Sequence, residues 1–270
     1  MEKIELDCLL EAVHSRYGFD FREYAPASLR RRINRRVQLE GLPTISALQE
    51  RLLREPPLME QLLLDLSINV TAMFRDPSFY ATLRRHVVPL LKTWPFTRAW
   101  VAGCSTGEEV YSLAIVLHEE GLYERARIYA TDINEEVLER ARLGVFPLAK
   151  MQDYTRNYIA GGGTRAFSDY YTSAYDGVAF DRSLVRNVVF AQHNLASEGS
   201  FNEFHLILCR NVMIYFERSL QERVFDLFDD SLVRLGILGL GTKESLRTSE
   251  RAPKYEELDP RERVYRKVKA

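Results

Sequence analysis

The chain has 270 residues, which at roughly 150 residues per domain is enough for about two domains, or for one α/β domain with an appendage. Hydrophobic residues make up 46% and charged residues 28%, which excludes a largely disordered chain. Lysine and arginine total 37 against 38 aspartates and glutamates, so the net charge of -1 excludes a bulk electrostatic attraction to nucleic acid, and any basic site must be local.

The first third of the chain reads as helical. Apolar residues recur at three- and four-residue spacing, which predicts amphipathic helices over residues 28–40, 45–54 and 58–68, with breaks at 41–43 and 56–57 where proline ends a helix. We expect these helices to pack as a small bundle.

From about residue 95 the pattern changes to short apolar runs that alternate with helical periods, which is typical of a parallel sheet with crossover helices. We predict helices over 109–119, 135–143 and 220–235. The predicted strands are 98–102, 127–130, 188–191, 205–209, 237–240 and 263–268. The fold class is therefore α/β.

Residues 144–187 interrupt this alternation with a triple glycine and an aromatic cluster. We expect a small inserted antiparallel β element there. The alternative is a loop that covers one edge of the sheet.

The three cysteines, Cys8, Cys104 and Cys209, are far apart and form no C-x-x-C pair. This odd, scattered set argues against a disulfide framework and against a zinc cage, and it fits a reducing cytosol; we expect no metal site. The N-terminus carries acids where a signal peptide needs a basic start, and no apolar run approaches the ~18 residues of a membrane span. We therefore expect a cytoplasmic protein that does not insert into a membrane.

The strongest local motif is the strand that ends in Gly103 and Gly107 and then enters a helix. Glycines let a ligand approach the backbone, and the helix N-terminus carries a partial positive charge, so a nucleotide-like or carboxylate-bearing ligand is indicated. The loop lacks the G-x-G-x-x-G pattern of dinucleotide sites, which favours a mononucleoside cofactor. A purely structural turn is the alternative.

Polar residues follow further predicted strands. Asp132 stands where α/β nucleotide-binding folds place a carboxylate on ribose hydroxyls, although it could instead cap the helix that begins near residue 135. Asn194 and Leu195 follow one later strand, and Arg210 and Asn211 follow the next. Ligands of open α/β sheets bind at the carboxyl ends of the strands, so we expect these residues and the glycine loop to converge on one crevice.

Residues 103–107 also fit G-x-S-x-G, the nucleophile elbow of serine esterases of the α/β-hydrolase type, with Ser105 as nucleophile. That alternative needs several strands and an oxyanion motif upstream, where this chain reads helical.

Taken together, several blocks closely resemble the CheR-type chemoreceptor glutamate methyltransferases, in the same order and over nearly the whole chain. The blocks are residues 69–77 (NVTAMFRDP), 103–109 (GCSTGEE), 131–134 (TDIN), 194–195 (NL) and 209–216 (CRNVMIYF), with the basic helix 28–36 (SLRRRINRR) and the ending 256–266 (EELDPRERVYR).

The resemblance implies a helical N-terminal substrate-recognition domain with a linker over residues 1–92. It also implies a doubly wound, Rossmann-like S-adenosylmethionine domain over 93–270, with an inserted β subdomain at about 144–187. The reaction would be methyl transfer to glutamates in the cytoplasmic domain of a chemoreceptor, as in chemotactic adaptation, with S-adenosylhomocysteine as product. By motif, the cofactor contacts would be Asn69, Thr71, Arg75, Gly103, Glu109, Asp132, Asn194, Leu195, Arg210 and Asn211. Whether Glu108 shares the role of Glu109 stays open.

Arg75 and Tyr215 are the catalytic candidates, since the resemblance places both beside the methyl group and their donors could orient a carboxylate. From the sequence alone Tyr215 could equally be a core aromatic.

Five arginines lie on one predicted helix. The resemblance assigns this helix to docking of an acidic receptor helix, and a solvated face or nucleic-acid binding are the alternatives. These substrate-binding candidates are Arg30, Arg31, Arg32, Arg35 and Arg36. A cofactor-binding adaptor without turnover also remains open, as do the receptor's identity, its tethering to the β subdomain and the oligomeric state.

Overall fold

A computed structural model describes residues 1–67 and 71–269. The chain begins with four helices that pack as a bundle, as the periodicity predicts: α1 (Glu2–Tyr17), α2 (Pro26–Leu39), α3 (Ile45–Arg54) and α4 (Pro56–Leu66). Local chemistry starts two of them, because Thr44 caps α3 by accepting a hydrogen bond from the Ala47 backbone N–H, and Pro56 occupies the first turn of α4. The break predicted at residues 56–57 lies instead at Glu55, because proline is tolerated in the first turn of a helix, where its missing N–H has no helical partner. Leu9, Ile33 and Leu62 are fully buried in the bundle core.

The following segment contains α5 (Pro77–Thr82), a π-helical stretch (Leu83–Val87) and α6 (Val88–Leu91). Its apolar side chains, among them Phe79 and Val87, share a hydrophobic core with Ala99 and Val101 of the first strand rather than with the bundle. The division of the chain into domains near residue 92 stays a prediction.

The rest of the chain is built on strands and crossover helices. The strands are β1 (Thr97–Ala102), β2 (Ala126–Asp132), β3 (Val145–Pro147), β4 (Tyr171–Ala174), β5 (Gly177–Phe180), β6 (Val188–Gln192), β7 (Phe204–Cys209), β8 (Leu232–Leu240), β9 (Tyr255–Asp259) and β10 (Val264–Lys267). The helices are α7 (Glu108–Glu119), α8 (Glu135–Leu143), α9 (Met151–Ala160) and α10 (Arg218–Ser231).

Seven strands form one sheet in the order β6-β2-β1-β7-β8-β10-β9, in which the first five are parallel and β10 pairs antiparallel with both β8 and β9. Alternate residues of β1 enter different cores, since Ala99 and Val101 lie in one and Trp100 and Ala102 in the other. The sheet is therefore covered on both faces. The predicted α/β class is confirmed, and the strand order reverses beside β1, where β2 follows on one side and β7 on the other.

The insertion contains the predicted antiparallel element, a three-stranded sheet in the order β3-β5-β4. It also contains α9, which the sequence analysis missed. The buried carboxylate of Glu119 at the end of α7 holds the insertion against that helix. It accepts hydrogen bonds from the hydroxyls of Tyr158 and Tyr170 of the insertion and pairs with Arg84.

Near the C-terminus one predicted element was wrong at its end, and one strand was missed. The helix predicted over 220–235 ends at Ser231, and residues 232–235 begin β8, where Leu232 pairs with Phe204 of β7. Helical periodicity continues through these residues, but pairing with a buried strand overrides it. The strand β9 was missed because it is a polar edge strand that includes Glu256 and Glu257.

Candidate active site

A cleft with an empty volume of about 960 Å³ lies at the carboxyl ends of β1, β2, β6 and β7 and is closed on one side by the helical bundle. Open α/β sheets bind their ligands at this edge, outside the carboxyl ends of the strands. Ten residues predicted for cofactor binding or catalysis line it: Thr71, Arg75, Gly103, Glu109, Asp132, Asn194, Leu195, Arg210, Asn211 and Tyr215. Asn69, also predicted, lies outside the described residues.

The glycines of the loop after β1 serve the protein's own packing. Gly103 has a φ of +73°, and a Cβ there would lie 2.5 Å from a methyl carbon of Val212. Gly107 has a φ of +95°, and a Cβ there would lie 2.8 Å from the Cβ of Ala141 in α8. Both positions therefore require glycine, because φ is positive and because a side chain would clash with a neighbouring residue. Gly103 also borders the cleft.

Asp132 ends β2 inside the cleft and is buried. One carboxylate oxygen accepts a hydrogen bond from the Ser105 backbone N–H at 2.9 Å, and the other accepts one from Asn134 N–H at 3.1 Å. Burial raises the pKa of this carboxyl, while the amide bonds act against that rise. Asp132 does not cap α8, since Asn134 does so by accepting from the Glu136 N–H.

Arg210 leaves the end of β7 and is held on several sides. Its guanidinium donates to Glu109 at 2.9 Å and to Asp76 at 2.8 Å, and its Cζ lies 4.0 Å from the centre of the Phe79 ring. Two carboxylates therefore compensate one buried guanidinium, and the cluster fixes Arg210 and Glu109 at the wall of the cleft.

The neighbouring glutamates 108 and 109 point to different surroundings. Glu109 borders the cleft, whereas the buried carboxylate of Glu108 accepts hydrogen bonds from Thr106 and, at 3.3 Å, from the hydroxyl of Tyr154 in α9. Burial raises the pKa of Glu108. The geometry favours Glu109 as the residue available to a ligand.

Tyr215 lies at the cleft in the short 3-10 turn Met213–Tyr215. Burial raises the pKa of its phenol, and the positive charges of Arg32 and Arg75 act in the opposite direction. The Arg32 guanidinium lies 5.8 Å from the centre of the Tyr215 ring. Since its pKa is above the ordinary value, Tyr215 stays a neutral hydrogen-bond donor at physiological pH.

The arginines of α2 divide into two groups. Arg36 is largely buried against Asp65, Glu40 and Gln61, and Arg32 donates at 2.6 Å to the Asp65 carbonyl near the end of α4. The side chains of the second group are exposed: Arg30, Arg31 and Arg35. Sequence spacing alone did not separate these groups, because it does not show which side chains meet α4.

The cleft also contains residues that the sequence analysis missed. Tyr24 of the bundle borders it, and its ring lies 4.8 Å from that of Phe216. The backbone beside Tyr24 is joined to the Tyr215 loop, since Ala25 N–H donates to the Tyr215 carbonyl at 2.8 Å. No chemical motif surrounds Tyr24, so only tertiary structure brings it here.

Three buried polar atoms of cleft residues have no hydrogen-bond partner within the described chain: Arg210 Nε, Asn211 Oδ1 and His193 Nδ1. A buried polar atom without a hydrogen bond costs free energy, so these three atoms fit a cleft that takes a polar ligand.

No group of His, Cys, Asp and Glu side chains in residues 1–67 and 71–269 is arranged to hold a metal ion.

Ser105 and His193 border the same cleft, but they do not form the pair that the esterase alternative requires. The Nε2 of His193 lies 3.2 Å from the Gly199 carbonyl oxygen, and its Nδ1 has no partner among the described residues. Asp132 accepts from backbone amides rather than from a histidine. His193, the histidine that borders the cleft, is therefore not placed as the base of a catalytic triad with Ser105.

Within the described part of the chain, no helix is both long and apolar enough to cross a bilayer.

Comparison with known proteins gives two family matches. Residues 4–67 match the all-alpha domain of CheR methyltransferase, and residues 69–260 match its SAM-binding domain. Cher3 of Pseudomonas putida is 49% identical over 98% of this chain and 97% of its own. Chemotaxis protein methyltransferase 2 of Pseudomonas aeruginosa is 33% identical over 79% of this chain and 76% of its own.

Among solved structures, the N-methyltransferase NodS of Bradyrhizobium japonicum, bound to S-adenosylhomocysteine, aligns with a TM-score of 0.36 and 14% identity over 63% of each chain. This likeness is too weak to carry an argument. The cleft described above is lined mostly from within the matched SAM-binding domain, so the cofactor is S-adenosylmethionine. Because both family matches together span nearly its whole length, the chain belongs to the CheR methyltransferase family, whose named relatives are chemotaxis protein methyltransferases.

Proposed function

We propose that this protein transfers the methyl group of S-adenosylmethionine to glutamate side chains in the cytoplasmic helices of a chemoreceptor, giving glutamyl methyl esters and S-adenosylhomocysteine. The observation that carries the proposal is the meeting of Asp132, Arg75 and Tyr215 around one cleft beside the arginine-bearing helix α2. Residues 1–92 would then serve substrate recognition and residues 93–270 methyl transfer.

Different side chains of the cleft would contact the different parts of the cofactor. Asp132 has lone pairs left for the ribose hydroxyls after accepting two amides, and Glu109 offers a carboxylate to the ammonium group. Asn194 and Leu195 would border the adenine, while Thr71, Gly103, Arg210 and Asn211 complete the walls, with Asn69 a predicted contact outside the described residues. Bound S-adenosylmethionine supplies a methyl group activated on a sulfonium sulfur.

The chain's own catalytic task is positioning. A glutamate has an unperturbed pKa of about 4.3, so the acceptor is already ionised at neutral pH and needs no general base. Arg75 and Tyr215 are proposed as the donors that hold the cofactor and orient the acceptor carboxylate. The neutral phenol of Tyr215 contributes a hydrogen bond without adding a further positive charge, and a strong ion pair would lower the nucleophilicity of the carboxylate. Correct alignment supplies roughly 7–11 kcal/mol of barrier reduction in favourable intramolecular cases.

The test of this function is incubation with methyl-labelled S-adenosylmethionine and a receptor cytoplasmic fragment. We expect label on the receptor that is released as methanol by mild base, because glutamyl esters are base-labile and methylated amines are not. Ser105→Ala should keep most of this activity, since the proposed methyl transfer uses no serine nucleophile and Nε2 of His193 faces the Gly199 carbonyl oxygen. If no cognate receptor carries base-labile label, the protein is a cofactor-binding adaptor and not this enzyme. If Ser105→Ala loses activity while it still binds the cofactor, the esterase alternative is favoured.

The exposed arginines of α2 are proposed to dock the acidic receptor helix. We expect the double variant Arg31→Glu with Arg35→Glu to weaken receptor binding at least about tenfold in low salt and less so in high salt, because exposed charges are screened. Cofactor affinity should stay the same, since neither side chain borders the cleft. Binding of the receptor fragment and of S-adenosylhomocysteine is measured by titration calorimetry.

A control separates docking from folding. Arg36→Glu lies on the same helix but removes the buried pair with Asp65, so it should lower the melting temperature, which the double variant should not. Parallel loss of receptor and cofactor binding in the double variant would contradict a docking role.

A further inference from the structure

Glu244 lies just after β8, and its carboxylate gathers four backbone amides. One oxygen accepts hydrogen bonds from Val212 N–H at 2.9 Å and Met213 N–H at 2.8 Å. The other accepts from Asn211 N–H at 2.9 Å and Gly241 N–H at 2.6 Å. This single side chain therefore holds three successive residues of the loop that leaves β7.

The arrangement is unusual because Glu244 is a buried anion without a cationic partner in the described part of the chain. Burial raises the pKa of its carboxyl, and the four amide bonds oppose that rise. A buried charge is tolerated when hydrogen bonds replace its lost hydration, and these amides would otherwise be left unpaired in the interior. Carboxylate and loop amides thus satisfy each other.

The loop held in this way carries residues of the cleft. Asn211 adopts a left-handed conformation with a φ of +62°, which asparagine adopts more readily than most residues, and the hydrogen bond from its backbone N–H to Glu244 holds the backbone there. Val212 then packs over Gly103, and the following turn presents Tyr215 to the cleft.

We propose that Glu244 is a positioning residue for methyl transfer: its carboxylate fixes the backbone of residues 211–213 so that Asn211 faces the cofactor and Tyr215 faces the acceptor carboxylate. This inference rests on the proposed function for the role of Tyr215. Glu244 borders neither ligand itself and acts through the loop.

A merely structural carboxylate is the competing explanation, and the chain offers a matched control. The side chain of Glu119 is also buried and also accepts several hydrogen bonds, including one at 2.9 Å from Tyr170. It pairs with Arg84, contacts the insertion and lies away from the cleft. Glu244→Gln keeps the size of the side chain and exchanges one acceptor oxygen for an NH2 group that meets backbone N–H donors; Glu119→Gln makes the same exchange elsewhere.

The experiment combines both variants with Tyr215→Phe in a double-mutant cycle. We expect Glu244→Gln to lower kcat about 10- to 100-fold with a much smaller change in KM for the receptor, and to cost less than about 3-fold in the Tyr215→Phe background, because the two residues act as one unit. Glu119→Gln should lower the melting temperature while kcat stays within about 2-fold at a temperature where it is folded. Equal fold-losses of Glu244→Gln in both backgrounds, or an unchanged kcat, would overturn the proposal.

Amide hydrogen exchange keeps this test separate from that of the proposed function. In the wild type we expect S-adenosylhomocysteine to slow exchange in a peptide spanning residues 210–216, and in Glu244→Gln we expect this protection to disappear. If the wild type methylates no receptor, the proposed function fails, and amide exchange alone tests the role of Glu244. Loss of the protection in Glu244→Gln supports positioning of the loop by Glu244, and retained protection overturns this role.

Discussion

Replacing Asp132 by alanine is expected to weaken S-adenosylhomocysteine binding about 5- to 150-fold. The carboxylate is buried at the end of β2 inside the cleft, and a buried hydroxyl pair that loses its acceptor costs about 1–3 kcal/mol. Asp132→Asn should lose less, because one oxygen of the same shape remains. Titration calorimetry at fixed salt measures both dissociation constants.

Asp132 also accepts the amides of Ser105 and Asn134, so a local folding defect must be separated from loss of a ligand contact. Asp181→Ala provides the control: that carboxylate likewise accepts a backbone amide, from Ser183, but lies away from the cleft. We expect Asp181→Ala to leave the affinity unchanged. An Asp132→Ala protein that binds S-adenosylhomocysteine as tightly as the wild type would remove Asp132 from the cofactor site.

Replacing Arg210 by methionine is expected to lower the free energy of unfolding by about 3 kcal/mol in the absence of cofactor. Removal of one member of a buried ion pair typically costs about 3–5 kcal/mol, because it leaves a buried charge uncompensated. Here Glu109 would lose its cation inside the cleft, while the partly exposed Asp76 can recover hydration, which favours the lower end of that range. Urea unfolding followed by circular dichroism measures the change.

Arg247→Met is the matched comparison, since Arg247 pairs with Glu257 at the surface. Exposed pairs contribute about 0–1 kcal/mol, so this variant should unfold nearly like the wild type. Equal stability of the Arg210→Met and Arg247→Met proteins would show that the cluster of Arg210, Glu109 and Asp76 does not hold the loop after β7 against α7.

Much of the fold could be predicted because local patterns and tertiary structure agree. Helical spacing in the first third and buried apolar runs such as β1 each specify their element over a short stretch. The candidate site was predictable for a related reason: parallel strands bring the residues at their carboxyl ends to one edge, so the order of Asp132, Asn194 and Arg210 along the chain already implied a shared crevice.

Other features depend on contacts between distant segments, which periodicity does not record. Residues 232–235 follow a helical spacing yet join β8, because pairing with β7 inside the sheet outweighs propensity. Arg32 and Arg36 look like Arg31 and Arg35 in the sequence, and only the position of α4 turns two of them inward.

The sequence by itself therefore determined the fold class, most of the helices and strands with their order, and which strand ends carry chemical groups. Only the tertiary structure decided that Glu109 rather than Glu108 faces the cleft, that Tyr24 of the bundle closes one wall, and that Glu244 restrains the loop of Tyr215. The physical reason is that spacing along the chain encodes local geometry and burial, whereas the hydrogen bonds and ion pairs of a buried polar group are made with partners that become neighbours only when the chain is folded.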